Sequence, residues 1–248
     1  MLLRNKTILI TGASGDIGRA CASLFLKEGA HLILHAYRHP EKIEKLRSRY
    51  PNRIETIRCD GTSEEEVADA YRFLITRKKL RRIDVLVNNA GDLLARVPAR
   101  RLTWDFVSRT LDVNLKSAFL FTQHALPLMR KNGSIIFVSS LTARSGKGDR
   151  SSAYGMAKGA LLSWSRCLAN ELGKDGIRVN ALTPGFIEGS FHARYTAASV
   201  ARAHARKNPM GRIGTPDDVA RAALFYASDL SGYVSGTTLD VCGADFMA

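Results

Sequence analysis

Cysteine is scarce. The 248-residue chain has four, Cys21, Cys59, Cys167 and Cys242, far apart and without a C-x-x-C pair. That spacing argues against a disulfide framework or a structural zinc site; buried small apolar residues in a reducing cytoplasm are the expected fate. His31, His35 and His39 recur every four residues, a spacing that would share one face of a helix, but they follow an apolar, strand-like run, HLILHA, that ends in loop residues, so no zinc site is expected. Long apolar runs are missing as well. None reaches the ~18 residues needed to cross a bilayer, so no transmembrane helix is expected. The start, MLLRNKTILITG, passes straight into a strand pattern without a small-residue cleavage site, so no signal peptide is expected and the cytoplasm is the expected location. No linker, repeat or low-complexity tract divides the chain, and one domain over 1–248 is the economical reading. Acid is in short supply: 23 Asp and Glu against 37 Lys and Arg, a net charge of +14. Basic residues cluster at Arg77–Arg82, at Ala99–Leu102 and from Arg194 to Arg212. Without a recognition motif the charge does not indicate nucleic acid. It reads either as solvated surface or as attraction for anionic cofactors, substrates or carrier proteins.

Strand and helix patterns alternate through the whole length. The strand-like runs are KTILIT, AHLILHA, RIETIRC, IDVLVNNA, GSIIFVSS, IRVNALT and TTLDV. Helical patterns lie between them, over Arg19–Glu28, Glu41–Tyr50, Ser63–Arg77, Thr103–Arg130, Ser151–Leu172 and Pro216–Ser228. This order predicts an α/β fold: a Rossmann-type, doubly wound, seven-stranded parallel sheet with helices on both faces. Ligands in such sheets bind at the carboxyl ends of the strands. Those ends carry small, polar or glycine residues: Thr11–Gly18, Ala36–Arg38, Cys59-Asp60, Asn88–Gly91, Ser139-Ser140 and Thr183–Ile187.

Two of these features carry chemistry. TGASGDIG (Thr11–Gly18) links the first strand to the first helix. Its glycines would let backbone N–H groups approach a pyrophosphate at a helix N-terminus, though a plain turn uses the same residues. Asp16 within it is read as capping the following helix. Tyr154-Gly-Met-Ala-Lys158 places a phenol and an ammonium four residues apart, on one helix face. A fixed cation beside a phenol lowers its pKa from near 10 and fits it for proton transfer. Alone, the pair reads equally as a surface contact.

Together with NNAG (Asn88–Gly91), Asn114 in DVNLKSAF, Ser140 in FVSS and Pro184-Gly185, these motifs stand in one order. In that order the sequence resembles the short-chain dehydrogenase/reductase family, in particular its 3-oxoacyl-carrier-protein reductases. The resemblance runs over essentially the whole chain and implies roles for matching positions. Tyr154 would be the general acid/base, with Ser140 bonding the reacting oxygen. Lys158 would hold the nicotinamide ribose and depress the tyrosine pKa, and Asn114 would hold a water behind it. Gly12, Ser14, Gly15, Asp16, Ile17 and Gly18 would form the pyrophosphate loop. Asp60, Asn88, Ala90 and Gly91 would serve the adenosine side; Pro184, Gly185 and Ile187 would serve the nicotinamide.

Three departures stand out. Asp16 replaces a glycine of the family loop. Gly189 stands where many relatives carry a threonine that grips the nicotinamide amide, with Ser190 as a candidate substitute. The tail reads VCGA rather than VDGG. The second strand ends at Ala36 without an acid, and Arg38, with His35 or His39, is placed to pair with a 2′-phosphate, so NADP(H) is expected over NAD(H). Residues 186–212 are the expected substrate lid. Its Arg194, Arg202, Arg206, Lys207 and Arg212, with Arg144, Lys147 and Arg150 before the tyrosine, suggest an anionic or carrier-linked substrate such as a 3-oxoacyl thioester. Sugar, polyol or other small-alcohol dehydrogenation stays open, as does a non-catalytic dinucleotide sensor. The family resemblance further implies a homotetramer, or a dimer. No nucleic acid, membrane or metal is expected.

Overall fold

Every strand run becomes a strand; the five central ones are apolar and buried nearly throughout, and the two edge strands, over 54–57 and 238–241, are only partly covered. The computed structural model describes residues 1–247. In chain order the elements are β1 (Thr7–Ile10), α1 (Asp16–Lys27), β2 (His31–His35), α2 (Glu41–Arg49), β3 (Ile54–Ile57), α3 (Glu64–Thr76) and β4 (Val85–Asn88). These are followed by α4 (Trp104–Leu111), α5 (Ser117–Ala125), β5 (Ser134–Val138), α6 (Thr142–Ser145), α7 (Ser152–Leu172) and β6 (Arg178–Pro184). The last are α8 (Ser190–Tyr195), α9 (Ala198–Lys207), α10 (Pro216–Ala227) and β7 (Thr238–Val241). All seven strands are parallel, in the order β3-β2-β1-β4-β5-β6-β7. Strand order reverses between β1 and β4, and the carboxyl ends of the strands open there into a crevice.

Alternate side chains leave opposite faces of the sheet. Ile8, Ile10, Leu32, Leu34, Val85 and Val87 face α1 and α10, where they meet Phe25, Val219 and Ala223. Leu9, Ile33, Leu86, Ile135 and Phe137 face the other way, toward Tyr71 of α3, Phe121 of α5 and Leu161 of α7.

The helices differ from expectation at three places that matter. Helix α1 starts at Asp16, three residues earlier than predicted, so the loop is shorter. The single helix expected over Thr103–Arg130 is interrupted by a π-helical turn at Asp112–Lys116 and then ends in a 3-10 turn containing Pro127. In the wide turn the Asn114 side chain bonds the Thr110 carbonyl and Ser117 bonds that of Val113. Such turns recur at functional sites. The segment after β6 carries two short helices, α8 and α9, for which the sequence pattern gave no signal.

Candidate functional site

A cleft of about 920 Å³ runs along the carboxyl ends of the strands, from Arg38 and Asp60 at one end to Tyr154 and the 186–204 segment at the other. Its floor is the β1–α1 loop. Gly12 has φ +62°, a left-handed backbone that favours glycine. A Cβ there would sit 2.8 Å from the Ala90 Cα. Thr11 Oγ1 accepts the N–H groups of Asn89 and Ala90, and Asn89 Nδ2 donates to the carbonyls of Thr11 and Gly12. Asn89 thus braces the loop, a role the sequence reading missed. Gly18 packs instead of lining the cleft: a Cβ on it would lie 2.5 Å from the Gly12 carbonyl oxygen. The N–H groups of Asp16, Ile17 and Gly18 open α1 and have no intrahelical acceptor.

Asp16 does not cap α1. The N-cap is Gly15, without a side-chain bond. The Asp16 carboxylate turns away to pair with Arg19 at 2.5 Å and to accept the Ser190 N–H at 2.6 Å and hydroxyl at 2.7 Å. Ser190 is therefore engaged by Asp16, contrary to its expected role as a nicotinamide contact. Ile187 is buried beside the cleft and bridges to Gly214, and Pro184 and Gly185 line the cleft floor.

At the Arg38 end of the cleft, that residue is exposed at the rim, with Asp60 and the missed Tyr37 and Thr62 beside it. Hydrogen bonds from Thr62 and Tyr37, with the Arg38 charge, outweigh burial and hold the Asp60 carboxyl below its ordinary range. Two expectations fail here. His35 is buried: its Nδ1 faces the Gly12 N–H at 3.3 Å and its Nε2 the Cys59 carbonyl at 3.0 Å. Desolvation lowers its pKa, so it stays neutral and supports the loop instead of meeting a phosphate. Asn88 is buried too, its amide donating to Thr122 of α5 at 2.9 Å, away from the cleft.

At the other end four predicted residues meet. Tyr154 and Lys158 lie one turn apart on α7, with the Lys158 Nζ 5.8 Å from the tyrosine ring centroid. Ser139 at the end of β5 donates to the Lys158 carbonyl at 2.8 Å, which fixes its neighbour Ser140 against α7. Lys158 is 3% exposed and donates to the Val138 carbonyl at 2.9 Å. It has no carboxylate partner among the described residues, and desolvation lowers its pKa to about 8. Asn114 donates from Nδ2 to the carbonyls of Asp92 and Thr110, while its Oδ1 is buried and unpartnered. A Cβ on Gly91 would lie 2.5 Å from that oxygen and 2.8 Å from Lys158 Nζ. The Tyr154 pKa moves opposite to expectation. Burial drives it up, the neighbouring Ser140 hydroxyl opposes this only in part, and Lys158 does not reverse it. The phenol therefore rests protonated.

The 186–204 segment walls the reacting end with rings. Phe191 lies 6.1 Å from Tyr154 between ring centroids, and Phe186 is stacked between His192 and His204. Most cations placed here by the sequence are neutralised internally: Arg194 by Asp92, Arg144 by Asp240, Lys147 by Asp245, Arg150 by Asp149 and Arg212 by Asp218. Arg202, Arg206 and Lys207 on α9 remain exposed.

A glycine-lined crevice at the switch point, with a phenol and a buried lysine one turn apart at its end, defines a dinucleotide-type oxidoreductase cleft. The comparisons agree. A family model described as enoyl-(acyl carrier protein) reductase matches residues 12–243. The 3-oxoacyl-(acyl-carrier-protein) reductases FabG of Thermotoga maritima and Rickettsia felis are each 35% identical to this chain. The alignments cover 98% of this chain and 98% of the first, and 99% of this chain and 98% of the second. A crystal structure of a short-chain dehydrogenase/reductase from Brucella melitensis, titled glucose/ribitol dehydrogenase, superposes with a TM-score of 0.92 at 31% identity, over 100% of this chain and 99% of that one. The chain belongs to the short-chain dehydrogenase/reductase family of oxidoreductases, whose members bind a nicotinamide dinucleotide.

Proposed function

We propose that the protein is an NADP(H)-dependent reductase of a 3-oxoacyl thioester. The observation that carries the reaction is the buried, uncompensated Lys158 between Tyr154, Gly91 and the unpartnered Asn114 Oδ1. An ammonium so desolvated is stabilised by an anionic or hydroxylic group that joins it. When bound, the nicotinamide supplies hydride to a carbonyl carbon, or accepts it from a secondary alcohol. Ser140 hydrogen-bonds the carbonyl oxygen. Tyr154, protonated at rest, gives that oxygen its proton as the hydride reaches the carbon, leaving the alcohol and a phenolate. Lys158 stabilises the phenolate and holds the ribose hydroxyls, and a water on Asn114 Oδ1 returns the proton.

NADP(H) is favoured because β2 is followed by a buried Ala36 with no acid to receive a ribose hydroxyl, while Arg38 stands exposed at that rim. The thioester is favoured over a polyol by the rings of Phe186 and Phe191 at the reacting end, which suit an acyl chain. The exposed cations of α9 suit an acidic carrier, and the two FabG relatives are acyl-carrier-protein reductases by name. The 186–212 segment serves as the lid. A complete Ser140–Tyr154–Lys158 set argues for catalysis over sensing alone.

Fluorescence titration with NADPH and then NADH, followed by 3-oxoacyl thioester turnover, tests the proposal. Tighter NADPH binding is expected, and Tyr154→Phe is expected to lower turnover by about 10³-fold while leaving NADPH affinity nearly intact. Equal loss of both would make Tyr154 structural. Tighter NADH binding would overturn the cofactor assignment.

A further inference from the structure

A carboxylate holds each end of the six-residue helix α8. At its start, Asp16 Oδ2 accepts both the N–H and the hydroxyl of Ser190, capping the helix from a distant part of the chain. At its end, Asp92 Oδ1 accepts the Tyr195 hydroxyl at 2.8 Å and Oδ2 faces Arg194 at 3.3 Å. Asp16 is the first residue of α1, where the loop after β1 ends, and Asp92 lies in the loop after β4; both residues line the cleft. Between the two fastenings α8 carries Phe191, the ring beside Tyr154. The helix that walls the reacting end is therefore tied to the loops assigned to the dinucleotide.

Gly189 supplies the second, independent observation. Its φ is +136°, and a Cβ on it would lie 2.4 Å from Asp16 Oδ2 and 2.9 Å from the carboxyl carbon. The Asp16 contact thus requires glycine at 189, since any side chain there displaces the carboxylate. The acid that opens α1 and the glycine after β6 therefore meet across the cleft. Arg19, paired with the other Asp16 oxygen, offsets the negative charge placed near the loop.

We propose that Asp16 and Gly189 form a matched pair that seats α8 on the dinucleotide loop, making Asp16 a positioning residue for the substrate side of hydride transfer. This rests on the assignment of the cleft to a dinucleotide. The test uses the full chain with Asp16→Gly, Asp16→Asn, Gly189→Ala and the Asp16→Gly/Gly189→Ala double variant. The first readout, without nucleotide, is the rate of tryptic cleavage at Arg194, Arg202 and Arg206, followed by mass spectrometry. Asp16→Gly is expected to speed cleavage about tenfold, the loss of a charge-assisted contact at partial exposure. Asp16→Asn, which keeps an acceptor oxygen, should fall between it and the parent. The second readout is steady-state kinetics with NADPH: Asp16→Gly should raise the carbonyl KM by a similar factor, with a smaller change in kcat. In the double variant the losses should not multiply, because either change alone breaks the same contact. Unchanged lid cleavage in Asp16→Gly, or fully multiplicative losses, would overturn the pairing. If Gly189→Ala does not fold, the two Asp16 variants still decide through cleavage. If the parent binds no dinucleotide, the cleft assignment fails while the cleavage readout still judges the pair.

Discussion

Lys158 buries an ammonium with one carbonyl for company, and the consequence is a measurable pH dependence. Its pKa of about 8 in the folded protein lies below the 10.5 of a free lysine. Between those values the unfolded chain binds more protons than the folded one, so this group makes stability rise with pH. Cys21 and Cys59 act oppositely. Burial pushes both thiols to about 12 from 9, so stability falls with pH as the unfolded thiols ionise around 9. The two effects overlap, so the lysine is read by difference from a variant that lacks it. Denaturant unfolding of the unliganded parent and of Lys158→Met should give a stability difference that shifts in the parent's favour from about pH 7 to 9. The same deprotonation removes the charge that stabilises a Tyr154 phenolate, so kcat/KM for reduction should fall above about pH 8. A parent–variant difference that stays flat over that pH range would show that the ammonium is solvated.

Helix α10 shows how an element far from the chemistry supports the cleft. Thr215 and Asp218 form a reciprocal capping box at its start, with Pro216 in the first turn. The Asp218 carboxylate also binds Arg212 at 2.7 Å, and that guanidinium holds its pKa well down. Through Val219 and Ala223, α10 packs on α1, whose N-terminus is the candidate phosphate site. Thr215→Ala is expected to cost about 1 kcal/mol and to lower the melting temperature by roughly 2–4 °C, as read by thermal scanning. No change would mean that Pro216 and the Arg212 pair hold the start unaided. At the same scale, the π turn at Asp112–Lys116 breaks a long helix and brings Asn114 under the cleft.

Across the whole molecule the excess positive charge is less free than the composition suggests, since several of the cations near the cleft are spent on ion pairs. The exposed remainder on α9 predicts a salt-sensitive preference for a carrier-linked 3-oxoacyl substrate over its short thioester mimic. Equal rates for the two at low salt would refute a carrier partner. Trp104, Phe119 and Met156 expose large apolar surface on α4, α5 and α7. We expect these helices to pair between subunits in a tetramer; light scattering that gives a monomer mass at micromolar concentration would reject this.

Order of elements, parallel sheet and the Ser140–Tyr154–Lys158 spacing were determined by the sequence alone, because they follow from local periodicity: apolar runs of strand length, and one helical turn between Tyr154 and Lys158. Helix boundaries were less legible. Nothing local distinguishes Asp112–Lys116 from the helix on either side, and α8 is too short to show a period. Only the tertiary structure decided which way polar side chains turn at the strand ends. Asn88 and Asn89 are adjacent and identical, yet one is buried against Thr122 and the other braces Gly12, since Asn88 closes β4 and Asn89 opens the loop that follows it. His35 lies among apparent phosphate ligands in sequence but inside the core in space. Asp16 and Ser190 are 174 residues apart. No local pattern spans that distance; the sheet brings them together because its strands all end on one edge.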